Sequence, residues 1–197
     1  GTGSSPFVAC LQREARLFWR TPIFALNGTI NLFLLPLFLL FPLLVKGELK
    51  LLTTFLTGYD NFQWLAGLIL AGISAATAAM NQVPSTAISR EGPLLFWSLV
   101  LPLPPRTQLL AKLTFALSLQ SLATFVWAAV AHFVFHLSGV ALLAGIALGL
   151  LAAWPLAQIG LMVDLTWPRT QWTDPQKAMK GNFNGFLWCI SCGWRRF

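Results

Sequence analysis

The chain has 197 residues, of which 56% are hydrophobic and 10% charged, and its mean hydropathy is +0.70. That composition excludes an ordinary soluble domain and leaves an integral membrane protein. The formal charge of +7 does not point to nucleic acid, because the basic residues alternate with apolar runs instead of gathering on one polar face.

Residues 1–5 are small and polar and read as a disordered lead. From Pro6 to Arg20, Phe7, Leu11, Ala15 and Phe18 recur at helical intervals while Arg13, Arg16 and Arg20 take another face. This predicts a basic helix at a membrane interface or a plain extension of the first span. Residues 21–45 carry no charge and are long enough to cross a ~30 Å hydrocarbon core, with kinks expected at Pro36 and Pro42.

A short polar connection, 46–61, leads to a second span at 62–87, rich in Gly and Ala and therefore suited to close helix packing. Asn81 and Gln82 near its end could line a polar path or bond a neighbouring helix. Residues 88–108 form a charged segment holding Ser89, Arg90, Glu91, Gly92, Phe96, Trp97, Leu101 and Pro102. Gly92 and Pro93 allow a bend, and Pro102, Pro104 and Pro105 end any short helix between. Arg90 and Glu91 read as a pair facing a partner or as a solvated pair at the loop entrance.

Spans three and four are expected at 109–135 and 140–163, turned by Ser138 and Gly139, with Gly145 and Gly149 as a G-x-x-x-G packing motif. Residues 164–182 form another polar segment, in which Thr173, Asp174 and Pro175 are good helix-start residues ahead of Lys177 and Lys180. Residues 183–197 begin a fifth apolar stretch too short to span, which marks the sequence as a piece of a longer protein.

His132 and His136, four apart, would share one helix face and are the only candidate catalytic pair; a zinc site would need a third ligand. Cys189 and Cys192 lack a second pair or a nearby His. No G-x-x-x-x-G-K-[ST] loop is present, so any nucleotide chemistry of that type belongs to another chain.

Two patches carry a family resemblance. The first is Ser89-Arg90-Glu91-Gly92, Phe96-Trp97, Leu101-Pro102, Leu109-Leu110 and Lys112. The second runs through Asp164-Leu165, Pro168-Arg169, Trp172-Thr173, Asp174-Pro175-Gln176, Ala178 and Lys180 to Asn182. Together they resemble the ABC-2-type exporter permeases, particularly the large bacterial permeases, over about half the chain; Asp174 stands where the family form has Asn. The apolar runs by themselves give an all-α polytopic membrane protein with four full spans and a fifth begun. The resemblance implies that it is the permease part of an exporter. It also implies an ATPase subunit docking on the 88–105 element and holding ATP and Mg, further spans or a second permease copy, and a bacterial plasma membrane location. No cofactor is implied for this chain and no nucleic acid partner. Two other classes stay open: a membrane-embedded metal enzyme using His132 and His136, and a non-catalytic membrane scaffold.

Nine basic residues lie in the lead, 88–112 and 164–182, against Lys46 and Lys50 in the remaining connection. By the positive-inside rule the first three regions are cytoplasmic. In a cysteine-free background, single cysteines at Thr57 and Thr170 are expected to react with an impermeant thiol reagent on intact cells only at 57. Labelling at 170 alone would invert the topology.

Overall fold

The computed structural model describes residues 5–45, 61–100, 102–175 and 178, and every element among them is helical. The helices are α1 (Pro6–Arg20), α2 (Pro22–Val45), α3 (Phe62–Ala79), α4 (Gln82–Ser85), a 3-10 segment (Ser89–Leu94), α5 (Leu95–Val100), α6 (Pro105–Phe135) and α7 (Gly139–Thr166). Among the described residues, three stretches are long and apolar enough to cross a membrane: Phe62–Gly92, Pro105–Phe133 and Gly139–Thr166. α2, 24 residues long, covers the range expected for a first crossing and continues through Pro36 and Pro42, but it is not one of these three. The fifth apolar stretch, 183–197, lies outside the described residues, as does the connection 46–60.

Several boundaries differ from those expected. α1 is not a plain extension of α2: Thr21 is extended, with φ −107° and ψ 100°, because a residue before proline is driven out of the helical region. The second crossing breaks at Met80 and Asn81 instead of running unbroken to 87; Pro84 has no N–H for the carbonyl of Met80. The third begins at Pro105 rather than 109, since a proline whose fixed φ suits the first helical turn starts α6.

The chain divides into two compact units. One holds the described residues of Thr29–Asn81 and Leu117–Leu156. Its packing follows from small residues: a Cβ on Gly145 would lie 2.7 Å from the carbonyl oxygen of Gly67, one on Gly67 would lie 2.7 Å from that of Ala141, and one on Gly149 would lie 2.7 Å from Ser74 Cβ. The G-x-x-x-G pair thus faces α3 at backbone contact. Polar side chains add interhelical bonds: Ser74 Oγ and Thr124 Oγ1 are 2.8 Å apart, and Gln120 Nε2 donates to Thr77 Oγ1 at 3.1 Å. Asn81 Nδ2 donates to Gln120 Oε1 at 3.4 Å, which makes it a helix-to-helix bond of the kind expected as one of its two roles. Leu65, Leu68, Leu143 and Leu151 are exposed, as lipid-facing positions should be.

The other unit holds the described residues of Gly1–Gly28, Gln82–Ala116 and Ala157–Phe197, and carries the candidate site. Phe18 is fully buried there and meets Phe115 edge-on at 5.3 Å. A Cβ on Gly28 would lie 2.7 Å from the Phe18 ring, so a side chain there would force the ring to shift.

The glycine contacts give opposite signs for similar changes. Gly145→Ala should lower the unfolding free energy in mild detergent by roughly 1–3 kcal/mol, because a backbone carbonyl cannot move aside cheaply. Gly72→Ala, with open space around it, should raise it by about 0.5–1 kcal/mol through helix propensity. Equal effects in thermal unfolding would contradict the packing.

Candidate functional site

The site begins on α1. Cys10, Glu14 and Phe18, four residues apart, form its buried stripe, so one carboxylate sits in a row of apolar side chains. A buried carboxylate needs a cation, and Lys112 of α6, also buried, supplies it. Lys112 Nζ bonds Glu14 Oε1, Glu91 Oε1 at 2.6 Å and the carbonyl of Ala87 at 3.1 Å. All three ammonium protons are therefore used.

Glu91 is held on its other oxygen too, where Ser98 Oγ of α5 donates at 2.6 Å. Arg13 Nη2 reaches Ser98 Oγ at 2.5 Å and lies 3.7 Å from Glu91 Oε1. Arg90 is buried: its Nη2 donates to the carbonyl of Val83 at 3.2 Å and stands 3.9 Å from Glu14 Oε2, while Cζ lies 5.3 Å from the centre of the Phe18 ring. Arg90 Nε and Nη1 and Glu14 Oε2 are buried with no hydrogen-bond partner among the described residues. Neither reading of Arg90 and Glu91 as a partner-facing or solvated pair holds, because both side chains turn inward onto this cluster.

A second anchor joins the two sequence patches. Asp164, buried near the end of α7, accepts the backbone N–H of Ile88 at 2.5 Å and of Ser89 at 3.0 Å on Oδ2, and the Ser89 hydroxyl on Oδ1. Ser89 then accepts the Arg169 N–H on Oγ at 2.9 Å and the Trp172 indole N–H on its carbonyl at 2.8 Å. Trp172 covers Gly92, where a Cβ would lie 2.7 Å from the indole ring, and Gly92 itself has φ +50°. Phe24 meets Trp172 edge-on at 6.1 Å. A groove of about 570 Å³ opens beside them, lined by Gly92, Leu95, Phe96 and the stretch Thr170 to Thr173. Phe96 is 67% exposed.

The sequence-predicted residues Ser89, Arg90, Glu91, Gly92, Asp164, Arg169 and Trp172 are thus brought together. Pro102, Pro168, Thr173 and Asp174 are exposed, and Pro175 is half-buried. Leu101, Gln176, Lys177, Lys180 and the Trp97 side chain lie outside the described ones. The sequence does not single out Glu14, although a lone acid in register with Cys10 and Phe18 is a readable signal; Arg13 enters only as a basic-face and topology charge, and Lys112 only through the basic count and the first resemblance patch.

The histidines do not share a helix face. α6 ends at Phe135, His136 follows with φ +49°, and the His132 ring nitrogen Nδ1 lies 3.1 Å from the carbonyl of Leu137. Among the described residues no three His, Cys, Asp or Glu gather as a metal-holding group. Comparison with protein-family models, with curated proteins and with solved structures returns no match.

Lys112→Met should cost about 3–5 kcal/mol of unfolding free energy, because it leaves Glu14 and Glu91 buried beside each other without their shared cation. Adding Glu91→Gln should restore part of that loss by removing one of the two charges. A single Lys112→Met within about 1 kcal/mol of the parent protein would contradict the buried ionic cluster.

Proposed function

We propose that the chain is the membrane-embedded permease part of an ATP-driven exporter, coupled to hydrolysis in a separate ATPase subunit. The observation that carries this reading is the meeting, through Ser89, of the two patches whose residue order resembles ABC-2-type permeases. A coupling element must be tied firmly to the helices it moves. Here the 3-10 segment is tied to α7 by Asp164 and to α6 by Lys112, while α5 next to it presents Phe96 outward. A large exposed apolar side chain beside a groove is the kind of anchor a protein partner buries.

In this reading ATP and Mg are held by the partner, α2 supplies a fourth crossing, and the N-terminus and both patches face the cytoplasm of a bacterial cell. Further spans or a second copy complete the pathway. Force on α5 would pass through Ser98 and Glu91 to Lys112, and through Ser89 to Asp164.

The test is co-purification of the full-length protein with its ATPase from detergent extracts. Phe96→Ala, and separately Trp97→Ala, should each weaken retention about thirtyfold, the ~2 kcal/mol loss common for aromatic anchors. Arg106→Ala, on the exposed first turn of α6, should change it less than fivefold. Glu91→Ala is uninformative about docking, since it disrupts the internal cluster. Full ATPase retention in both aromatic variants, with the protein folded, would make α5 a membrane-surface helix instead.

A further inference from the structure

Beside the ionic cluster lies a second groove, of about 400 Å³, that the transport reading does not use. Arg13, Arg16 and Arg20 of α1 line it together with Leu17, Glu91 and Leu94. Positions 13, 16 and 20 fall on one helix face, so three guanidinium groups are neighbours, an arrangement that like-charge repulsion disfavours unless an anion lies among them.

The acid in the groove answers only Arg13, whose Nη2 lies 3.7 Å from Glu91 Oε1. Both Glu91 oxygens are engaged, one by Lys112 and one by Ser98. Arg13 is fixed at the groove wall by Ser98 Oγ at 2.5 Å. Arg16 and Arg20 are exposed and, among the described residues, have no carboxylate within ion-pair distance. The C-terminal end of α1 favours a cation at Arg20, yet that explains Arg20 alone and not Arg16.

We infer that this groove binds a phosphate group, held by the Arg16 and Arg20 guanidinium forks with Arg13 as the fixed wall, and that its source is the phosphodiester headgroup of an anionic glycerophospholipid. Guanidinium groups match phosphate oxygens in bidentate pairs, which a lysine ammonium does not. Leu17 and Leu94 give the groove apolar wall beside the charge, as a ligand with a glycerol and acyl portion requires. Trp19, next to Arg20 and 57% exposed, belongs to the residue type enriched at headgroup level. The inference stands apart from the transport reading and needs only a membrane-embedded chain.

Calorimetric titration of the full chain in neutral detergent tests it, with soluble dihexanoyl phosphatidylglycerol, dihexanoyl phosphatidylcholine and inorganic phosphate as probes. The anionic lipid should bind at least tenfold more tightly than the zwitterionic one. Arg16→Gln with Arg20→Gln should abolish that difference while leaving the unfolding temperature unchanged, since both side chains are exposed. Arg16→Lys with Arg20→Lys, which keeps the charge and removes the forks, should lose most of it. Equal affinity for the two lipids in the parent protein, or full preference retained by either variant, would overturn the site and leave the arginines as topology charges. Inorganic phosphate should fail to displace the anionic lipid at equal concentration; if it succeeds, the site takes free phosphate and the lipid source is wrong.

Discussion

The ammonium of Lys112 is the point on which the described part of this unit depends. It sits out of water between Glu14 and Glu91, and its third proton goes to the carbonyl of Ala87. Those three bonds tie α1, the turn before the 3-10 segment and the segment itself to one position on α6. Burying such charges costs several kcal/mol per ion, so the arrangement contributes little net stability compared with an apolar core of the same volume. Its effect is on register: a one-residue rotation of α1 would remove Glu14 and leave Lys112 and Arg90 without one of their acids. The surrounding charges balance, with Arg13, Arg90 and Lys112 against Glu14, Glu91 and Asp164. Even so, among the described residues Arg90 keeps two buried nitrogens without a hydrogen-bond partner. A cluster selected only for stability would not retain them, because each unmade bond carries its own desolvation cost.

Asp164 does a related task with different chemistry. Its carboxylate accepts the N–H groups of Ile88 and Ser89 at the start of the 3-10 segment, as a helix-capping side chain does, but it comes from α7, 75 residues away from Ser89 in the chain. The segment is thereby capped by a different helix, and Gly92 then kinks the helical path. Two independent constraints demand glycine at 92: its φ of +50° and the Trp172 ring lying where a Cβ would be. Removing the Asp164 carboxylate would release the segment from α7 without touching Lys112, so the two anchors are separable by mutation.

The all-helical fold and the approximate helices were legible in the sequence because apolar runs of spanning length leave few alternatives. The small residues of α3 and the G-x-x-x-G of α7 foretold close packing, and Gly67 and Gly145 provide it. What sequence could not supply was pairing. Glu14 carries no sequence reading of its own, because a single acid on a basic helix gains meaning only from its place in the buried stripe, and Arg90 and Glu91 read as a partner-facing or solvated pair because adjacency along the chain says nothing about where each side chain points. His132 and His136 misled for a similar reason: a four-residue spacing gives a shared face only if the helix continues, and α6 stops between them. The link from Asp164 to Ser89 joins patches far apart in sequence, and no local rule predicts such a contact.

Three of the nine charges counted for orientation are consumed inside the fold, since Arg13, Arg90 and Lys112 pair with carboxylates. The bias nevertheless survives, for two reasons. The remaining Arg16, Arg20, Arg106, Arg169, Lys177 and Lys180 still outnumber Lys46 and Lys50 by six to two. The rule also acts while segments are being inserted, when Glu14, Glu91 and Asp164 have not yet found their partners, and acids weigh little in that step. In the orientation expected from the positive-inside rule, the same lysine and arginines serve at different times: first as unpaired charges during insertion, and afterwards as the cations of the cluster that fixes α1 against α6.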